Sequence, residues 1–465
     1  MNDLNKESEN FGRRGFMKTI GSATLGLELN SFAFAAEKNV GVQAGGRLAQ
    51  ESNGIEQSAN MSAQRGPAWL TPDYNIIAQL PPGQAGGYFM APTLAKMPSG
   101  TLVAAFPWGT TYDDGGRSLR VLRFSNSTDK GATWKAVAEL PYDSCEPNLY
   151  VHEGRLYLII TPNQNNTKLE RSYFIRDGKW GIWACVSDNE GVTWSPIQRV
   201  LQGELTSDQQ TPCHSTGGHT AMVILNGRLY LTVSDDFREL AAVSCQLDRG
   251  ILDPDAWRIS KMVKIPNPEV LFYKPNNFGS GMTLLEGNVV KVSGRLLVIA
   301  RAVINRGGTA NIGAVFEILD NGEKEPLQLQ FLHFYPIPGG QMKFYILYDE
   351  PSQLYWMASS PACNSNFLIE NGVWERIPKS GPGERRSLML WYSVDSLNWF
   401  PAGWIAFAQG WRQSFHYPVM LVDGNDLAII ARTARASGNS HNVDTITFHR
   451  IMNFRDLAMD LTPIR

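Results

Sequence analysis

Asn226-Gly227-Arg228-Leu229-Tyr230-Leu231-Thr232-Val233 joins a dipeptide suited to positive φ with a run of aromatic, aliphatic and β-branched side chains. Such a stretch reads as the tight turn of a β-hairpin followed by its second strand. The arrangement recurs along the chain. Its other copies are Pro98-Ser99-Gly100-Thr101-Leu102-Val103-Ala104-Ala105-Phe106, Glu153-Gly154-Arg155-Leu156-Tyr157-Leu158-Ile159-Ile160, Ser293-Gly294-Arg295-Leu296-Leu297-Val298-Ile299-Ala300 and Asp423-Gly424-Asn425-Asp426-Leu427-Ala428-Ile429-Ile430. Pro351-Ser352-Gln353-Leu354-Tyr355-Trp356-Met357 is a further copy without the glycine. Successive turns lie 54 to 73 residues apart. Before each turn runs a short entry segment to an apolar strand, such as His219-Thr220-Ala221-Met222, Gly281-Met282-Thr283-Leu284 or Tyr417-Pro418-Val419-Met420.

Six units over residues 67–465 give about 66 residues each, enough for a four-stranded antiparallel sheet with its loops. Repeated sheets of this size pack radially. The pattern therefore predicts an all-β chain, a six-bladed β-propeller. Composition agrees: 43 Gly and 26 Pro suit a turn-rich chain, and 13 Trp, 15 Tyr and 21 Phe suit strands. Only 18% of residues are charged, and 42 basic against 44 acidic side chains leave a net charge of −2. That balance gives no electrostatic reason to expect nucleic acid or an anionic membrane as partner. The five cysteines are scattered and form no C-x-x-C pair, which argues against a zinc site or a disulfide framework.

The N-terminus reads as an export signal. Gly12-Arg13-Arg14-Gly15-Phe16-Met17-Lys18 looks like a bacterial twin-arginine motif, and a mildly apolar stretch from Thr19 runs into Ala33-Phe34-Ala35-Ala36. Cleavage after Ala35 is expected, so residues 1–35 form the signal and the mature protein is periplasmic or extracellular. The stretch is too short and polar to span a bilayer, and no later segment approaches about 18 apolar residues, so no membrane insertion is expected. Residues 36–66 are polar and read as a flexible linker.

Ser127-Thr128-Asp129-Lys130-Gly131-Ala132-Thr133-Trp134 fits the pattern S-x-D-x-G-x-T-W, and Ser187-Asp188-Asn189-Glu190-Gly191-Val192-Thr193-Trp194 fits it with Asn189 in place of Asp. Ser393-Val394-Asp395-Ser396-Leu397-Asn398-Trp399 is a shortened relative. These Asp boxes resemble those of the sialidase (neuraminidase) superfamily, over about residues 70–465. The resemblance implies a six-bladed propeller with Asp boxes on outer turns and a structural role for the boxes themselves: Asp and Ser bond turn amides, and Trp packs between blades.

In a propeller, polar residues at the start of each inner strand, and in the loop to the next strand, face a common funnel. The residues so placed are Asp113, Asp114, Arg117, Glu146, His214, His219, Lys274, Asn277, Arg301, Arg306, His333, Lys343, Arg412, His416, Tyr417, Arg432 and His441. Their cationic bias favours an acidic oligo- or polysaccharide. The family resemblance implies a Tyr nucleophile with a Glu partner, an Asp acid/base and three Arg on a substrate carboxylate. Asp113 or Asp114 match the place of the acid, Tyr417 that of the nucleophile, and Arg301 and Arg412 those of two carboxylate ligands. The family's first Arg lies in a Tyr-Arg-Ile-Pro motif. This chain has Tyr88-Phe89-Met90-Ala91-Pro92 instead, so one clamp is missing there.

Three functions fit. A glycoside hydrolase would use Asp113 or Asp114 as acid, with Tyr417 or Glu146 opposite. A polysaccharide lyase on a uronate glycan would use His219, His416 and Tyr417 with Arg301 and Arg412. A glycan-binding propeller would bind without turnover. Arg117, His214, Lys343, Arg432 and His441 are further substrate-binding candidates. His214 and His219 are five apart, a spacing that suits neither a strand face nor a helical metal pair, so neither metal nor cofactor is expected.

Overall fold

A computed structural model describes residues 69–459, except 72, 82–86, 111–118, 143, 145, 162–178, 205–214, 217–219, 236–238, 265–282, 304–310, 363–366, 371–372, 377–384, 411 and 437–439. The signal and linker expected over residues 1–66 lie outside the described residues.

The chain folds as a six-bladed β-propeller of antiparallel sheets. Blade two shows the plan: strands Asn148–His152, Arg155–Ile160, Lys179–Ser187 and Gln198–Glu204 pair in chain order from the inside outwards. Blade four repeats it with Thr283–Val292, Arg295–Val303, Ile312–Leu319 and Gln328–Pro336. Blade five inserts a small hairpin, Phe367–Glu370 with Val373–Arg376, between its second and third strands. Blade six consists of Ser414–Asp423, Asp426–Ala434 and Thr445–Ile451, and takes its outer strand from the start of the chain, Asn75–Gln79. That closure was not apparent from the repeat, which places every strand of a unit consecutively. Among the described residues, Pro254–Ala256 and Phe454–Leu457 form single 3₁₀ turns, and no helix is long and apolar enough to cross a membrane.

The recurrent turns form the inner hairpins. At Glu153-Gly154, Asn226-Gly227 and Ser293-Gly294 both residues have positive φ, between 48° and 80°, as a two-residue hairpin matching the strand twist requires. Gln353, in the copy that lacks glycine, adopts φ 57° itself.

Each seam between neighbouring blades holds its own hydrophobic cluster. Ala104 and Phe106 of blade one, from its strand Leu102–Thr110, pack with Ile430 and Phe448 of blade six. Leu158 and Ile160 of blade two pack with Val103 and Phe124 of blade one. A blade is thus buried on both faces, which explains why runs such as Leu156–Ile160 are continuously apolar instead of alternating. Fully burying each such side chain contributes about 1.5–3 kcal/mol.

The Asp boxes lock turns at the seams. Asp129 Oδ1 accepts from the Thr133 amide at 2.9 Å and Oδ2 from the Thr133 hydroxyl at 2.6 Å, while Ser127 Oγ accepts from the Gly131 amide at 2.8 Å. These donors, the Thr133 hydroxyl foremost, hold the Asp129 carboxyl down at about 2. In the second box Asn189 Oδ1 accepts from the Thr193 amide at 2.8 Å, while its Nδ2 donates to the Thr193 hydroxyl at 2.9 Å, the reverse of the bond at Asp129. Trp134 packs on Phe448 of blade six and Trp194 on Phe124 of blade one. Strand register puts these turns at the face opposite the starts of the inner strands.

Candidate active site

Two inner strands are irregular at matching places. In blade four the pairing jumps from Leu285↔Arg301 to Asn288↔Ile299, and in blade six from His416↔Arg432 to Val419↔Ile430. Each jump is a β-bulge, one extra residue on the inner strand. The bulged residues are Glu286, with φ 50°, and Tyr417, with φ 53°. Left-handed backbone at a buried Glu and a buried Tyr is strained, and such strain collects at functional sites.

Neighbouring side chains hold both bulges. The carbonyl oxygen of Gly287 accepts from Thr220 Oγ1 at 3.0 Å and Thr232 Oγ1 at 2.9 Å. Lys343 Nζ donates to the Pro418 carbonyl oxygen at 2.7 Å. Asn288 ties blade four to its neighbours: its Oδ1 accepts from the amides of Ala221 and Ile346, and its Nδ2 donates to the Phe344 carbonyl. The Tyr417 ring itself rests on Ala91 and Met342.

Three guanidinium groups surround that ring. Arg432, Arg385 and Arg301 place their central carbons 4.9, 5.2 and 5.7 Å from its centroid. Arg301 is the hub. Its Nε donates to the Gln341 carbonyl at 2.9 Å, and its Nη1 donates to Glu286 Oε2 at 3.1 Å and to the Tyr417 hydroxyl at 2.9 Å. Burial opposes the Arg301 charge, but Tyr417 and Glu286 outweigh it and raise the pKa. Burial lowers that of Arg385, with Tyr417 partly compensating. Arg432 is fully buried; its Nη2 donates to the His441 carbonyl and lies 3.9 Å from Met90 Sδ.

Burial pushes Lys343 far below its usual range, though Glu286 and Glu146 pull the other way. His416 is also fully buried and stands edge-on to Tyr417 at 4.8 Å between centroids. Burial, then Arg385, Arg432, His441 and Arg301, push His416 far below its ordinary value, and His441 follows for the same leading reason. The cluster around Tyr417 sets three guanidinium groups beside Glu286, an excess of cationic groups that favours an anion.

The structure thus brings Tyr417, His416, Arg301, Lys343, Arg432 and His441 together. Glu146 sits half-buried ahead of the inner strand of blade two, within electrostatic reach of Lys343. Arg412 is exposed in the loop ahead of Ser414, and His333 is exposed on the outer strand of blade four, away from the inner strands. Asp113, Asp114, Arg117, His214, His219, Lys274, Asn277 and Arg306 lie outside the described residues. Sequence reasoning overlooked Glu286 and Arg385. A lone acid in an apolar strand, followed by Gly287, was the available signal for the first. Arg385 precedes a strand in Glu384-Arg385-Arg386-Ser387, where nothing local distinguishes it from a surface charge. Among the described residues no His, Cys, Asp or Glu cluster could hold a metal ion.

No family model matches the chain, and no curated protein matches it. Solved structures do. The NanB sialidase of Streptococcus pneumoniae is similar at TM-score 0.54 and 11% identity, over 86% of this chain and 73% of that one. The leech intramolecular trans-sialidase is similar at 0.53 and 14%, over 83% and 72%. A Trypanosoma rangeli sialidase is similar at 0.49 and 17%; the match takes in 84% of this chain and only 59% of that one. These likenesses are of fold: this chain is a six-bladed β-propeller similar in structure to those sialidases.

Proposed function

We propose that the chain is a glycoside hydrolase acting on an acidic, carboxylate-bearing sugar. The observation that carries this reading is the single Arg301 nitrogen bonded to both Glu286 and Tyr417, inside a ring of three guanidinium groups. In this reading Arg301, Arg385 and Arg432 grip the carboxylate, and that negative charge sits beside the anomeric carbon. A neutral phenol attacks there with less repulsion than a carboxylate would. Tyr417 is the nucleophile, Glu286 takes its proton, and Asp113 or Asp114 protonates the leaving oxygen. Arg432 stands beside Met90, so blade six supplies a cation where Phe89-Met90-Ala91-Pro92 lacks one.

The lyase alternative asks His219, His416 or Tyr417 to abstract a proton. His416 is fully buried, and burial with the guanidinium groups around it lowers its basicity, which counts against that residue as the base; His219 lies outside the described residues. The test is to incubate the protein with sialosides and uronate polymers and take product masses. Products that gain one water support the reading. Products short of that water reveal elimination, and no product at all leaves a binding propeller.

The proposal includes export through the twin-arginine segment. Replacing Arg13 and Arg14 together by Lys is expected to leave the protein in the cytoplasm, as cell fractionation would show.

A further inference from the structure

A cavity opens on the face of the propeller where the inner strands start. It encloses about 550 Å³ and lies where the outer strand of blade five, Phe400–Phe407, meets blade six. Phe415, two residues before Tyr417, and Ala434, two residues after Arg432, form part of its wall, so it flanks the Tyr417 cluster without including it. The volume falls in the range of small-ligand sites, roughly 300–1,000 Å³.

Its lining has a definite chemistry. Trp69, Tyr74, Phe407 and Phe415 supply four aromatic rings. Phe415 is buried, whereas Trp69 keeps 52% of its surface exposed, unusual for so large an apolar side chain. At the mouth stand Gln79, Gln409 and Arg435, all exposed, and no hydrogen bond within the described chain engages their side chains. Among the described residues no Asp or Glu lines the cavity, so a cationic ligand finds no counter-charge from them. One guanidinium, against three at Tyr417, makes it a weak site for an acidic group. Aromatic faces combined with unused amide and guanidinium groups suit a ligand with an apolar C–H face and many hydroxyl oxygens.

We infer that this cavity is a second glycan subsite, which holds an uncharged sugar unit stacked on its aromatic rings. The inference goes beyond the chemistry proposed at Tyr417 and does not depend on it. Such a subsite would hold the non-reacting part of a branched or extended glycan, or retain the protein on a glycan surface.

Trp69 provides the readout. Titration of the protein with lactose, cellobiose and N-acetyllactosamine, followed by tryptophan fluorescence and calorimetry, is expected to give saturable millimolar binding with at least one of them. Trp69→Ala and Arg435→Ala should each weaken it, the first by roughly tenfold or more. Arg435 is exposed, so its variant tests the site even where Trp69→Ala disturbs the fold, which circular dichroism would reveal. Tyr417→Phe should bind the same sugars unchanged even where it abolishes turnover. The inference is overturned if none of the three sugars binds saturably, if neither cavity variant weakens binding, or if Tyr417→Phe removes it.

Discussion

Glu286 and Tyr417 meet at one donor: Nη1 of Arg301 lies 3.1 Å from Glu286 Oε2 and 2.9 Å from the Tyr417 hydroxyl. Both residues reach this point from β-bulges with nearly equal φ, on strands of two different blades. The strain at each is opposed by bonds from outside the strand, from Thr220 and Thr232 in one case and Lys343 in the other.

Tyr417→Phe keeps the ring seated on Ala91 and Met342 but removes the hydroxyl. Turnover of an acidic glycoside should fall by roughly 10³-fold or more. Glu286→Gln should lower it by roughly 10²–10⁴-fold as a lost proton acceptor. Steady-state kinetics beside thermal unfolding would separate these losses from misfolding. Full activity in Tyr417→Phe would end the nucleophile assignment.

Arg385→Ala and Arg432→Ala should each weaken a carboxylate-bearing inhibitor. One charge-assisted bond is worth about 1.5–3 kcal/mol, which is roughly ten- to a hundredfold in Ki. The methyl ester of the same inhibitor should bind weakly to the parent protein and lose much less in either variant. Equal losses for acid and ester would show that the arginines hold the fold and not the anion.

Gly131→Ala tests an Asp box. A Cβ at Gly131 would lie 2.1 Å from the Phe448 ring, and φ is +88°. Overpacking and left-handed strain together should cost about 3 kcal/mol. Gly154→Ala has φ +77° and nothing within 4 Å, so only the strain of about 1–2 kcal/mol applies. Urea unfolding of the pair should show the first clearly less stable.

His449 predicts an acid limb of stability. Burial pushes it from 6.5 to about 3, and Thr71 and Thr447 bond its two ring nitrogens. Below pH 6.5 the unfolded chain takes up a proton that the folded chain refuses until about pH 3. Stability is therefore fully present above pH 6.5 and declines on acidification through that window. His416 and His441 act in the same direction. His449→Gln should flatten part of the slope in unfolding measured across that interval; an unchanged slope would show that the imidazole already titrates normally.

The blades were legible because a two-residue turn and a doubly buried strand leave strong local marks, as at Asn226-Gly227-Arg228-Leu229. The closure of blade six by Asn75–Gln79 was not, because its partner strand Thr445–Ile451 lies at the other end of the chain and no local pattern joins them. In the candidate site, Tyr417 and Arg301 sit where the repeat places funnel residues. Arg385 and Glu286 became recognisable only by what they touch. Arg412, read from the sequence as a carboxylate ligand, is exposed, whereas the overlooked Arg385 is buried.

The pairing of Asn75–Gln79 with Thr445–Ile451 also sets the timing of assembly. A ribosome delivers the first of these strands long before the last, so the ring stays unlocked through nearly all of synthesis. Contacts this distant make folding slow, and the waiting edge strand must avoid other partners meanwhile. A chain truncated before Thr445 would release an open, unpaired arc, and the cell should degrade or aggregate it instead of accumulating a five-bladed protein.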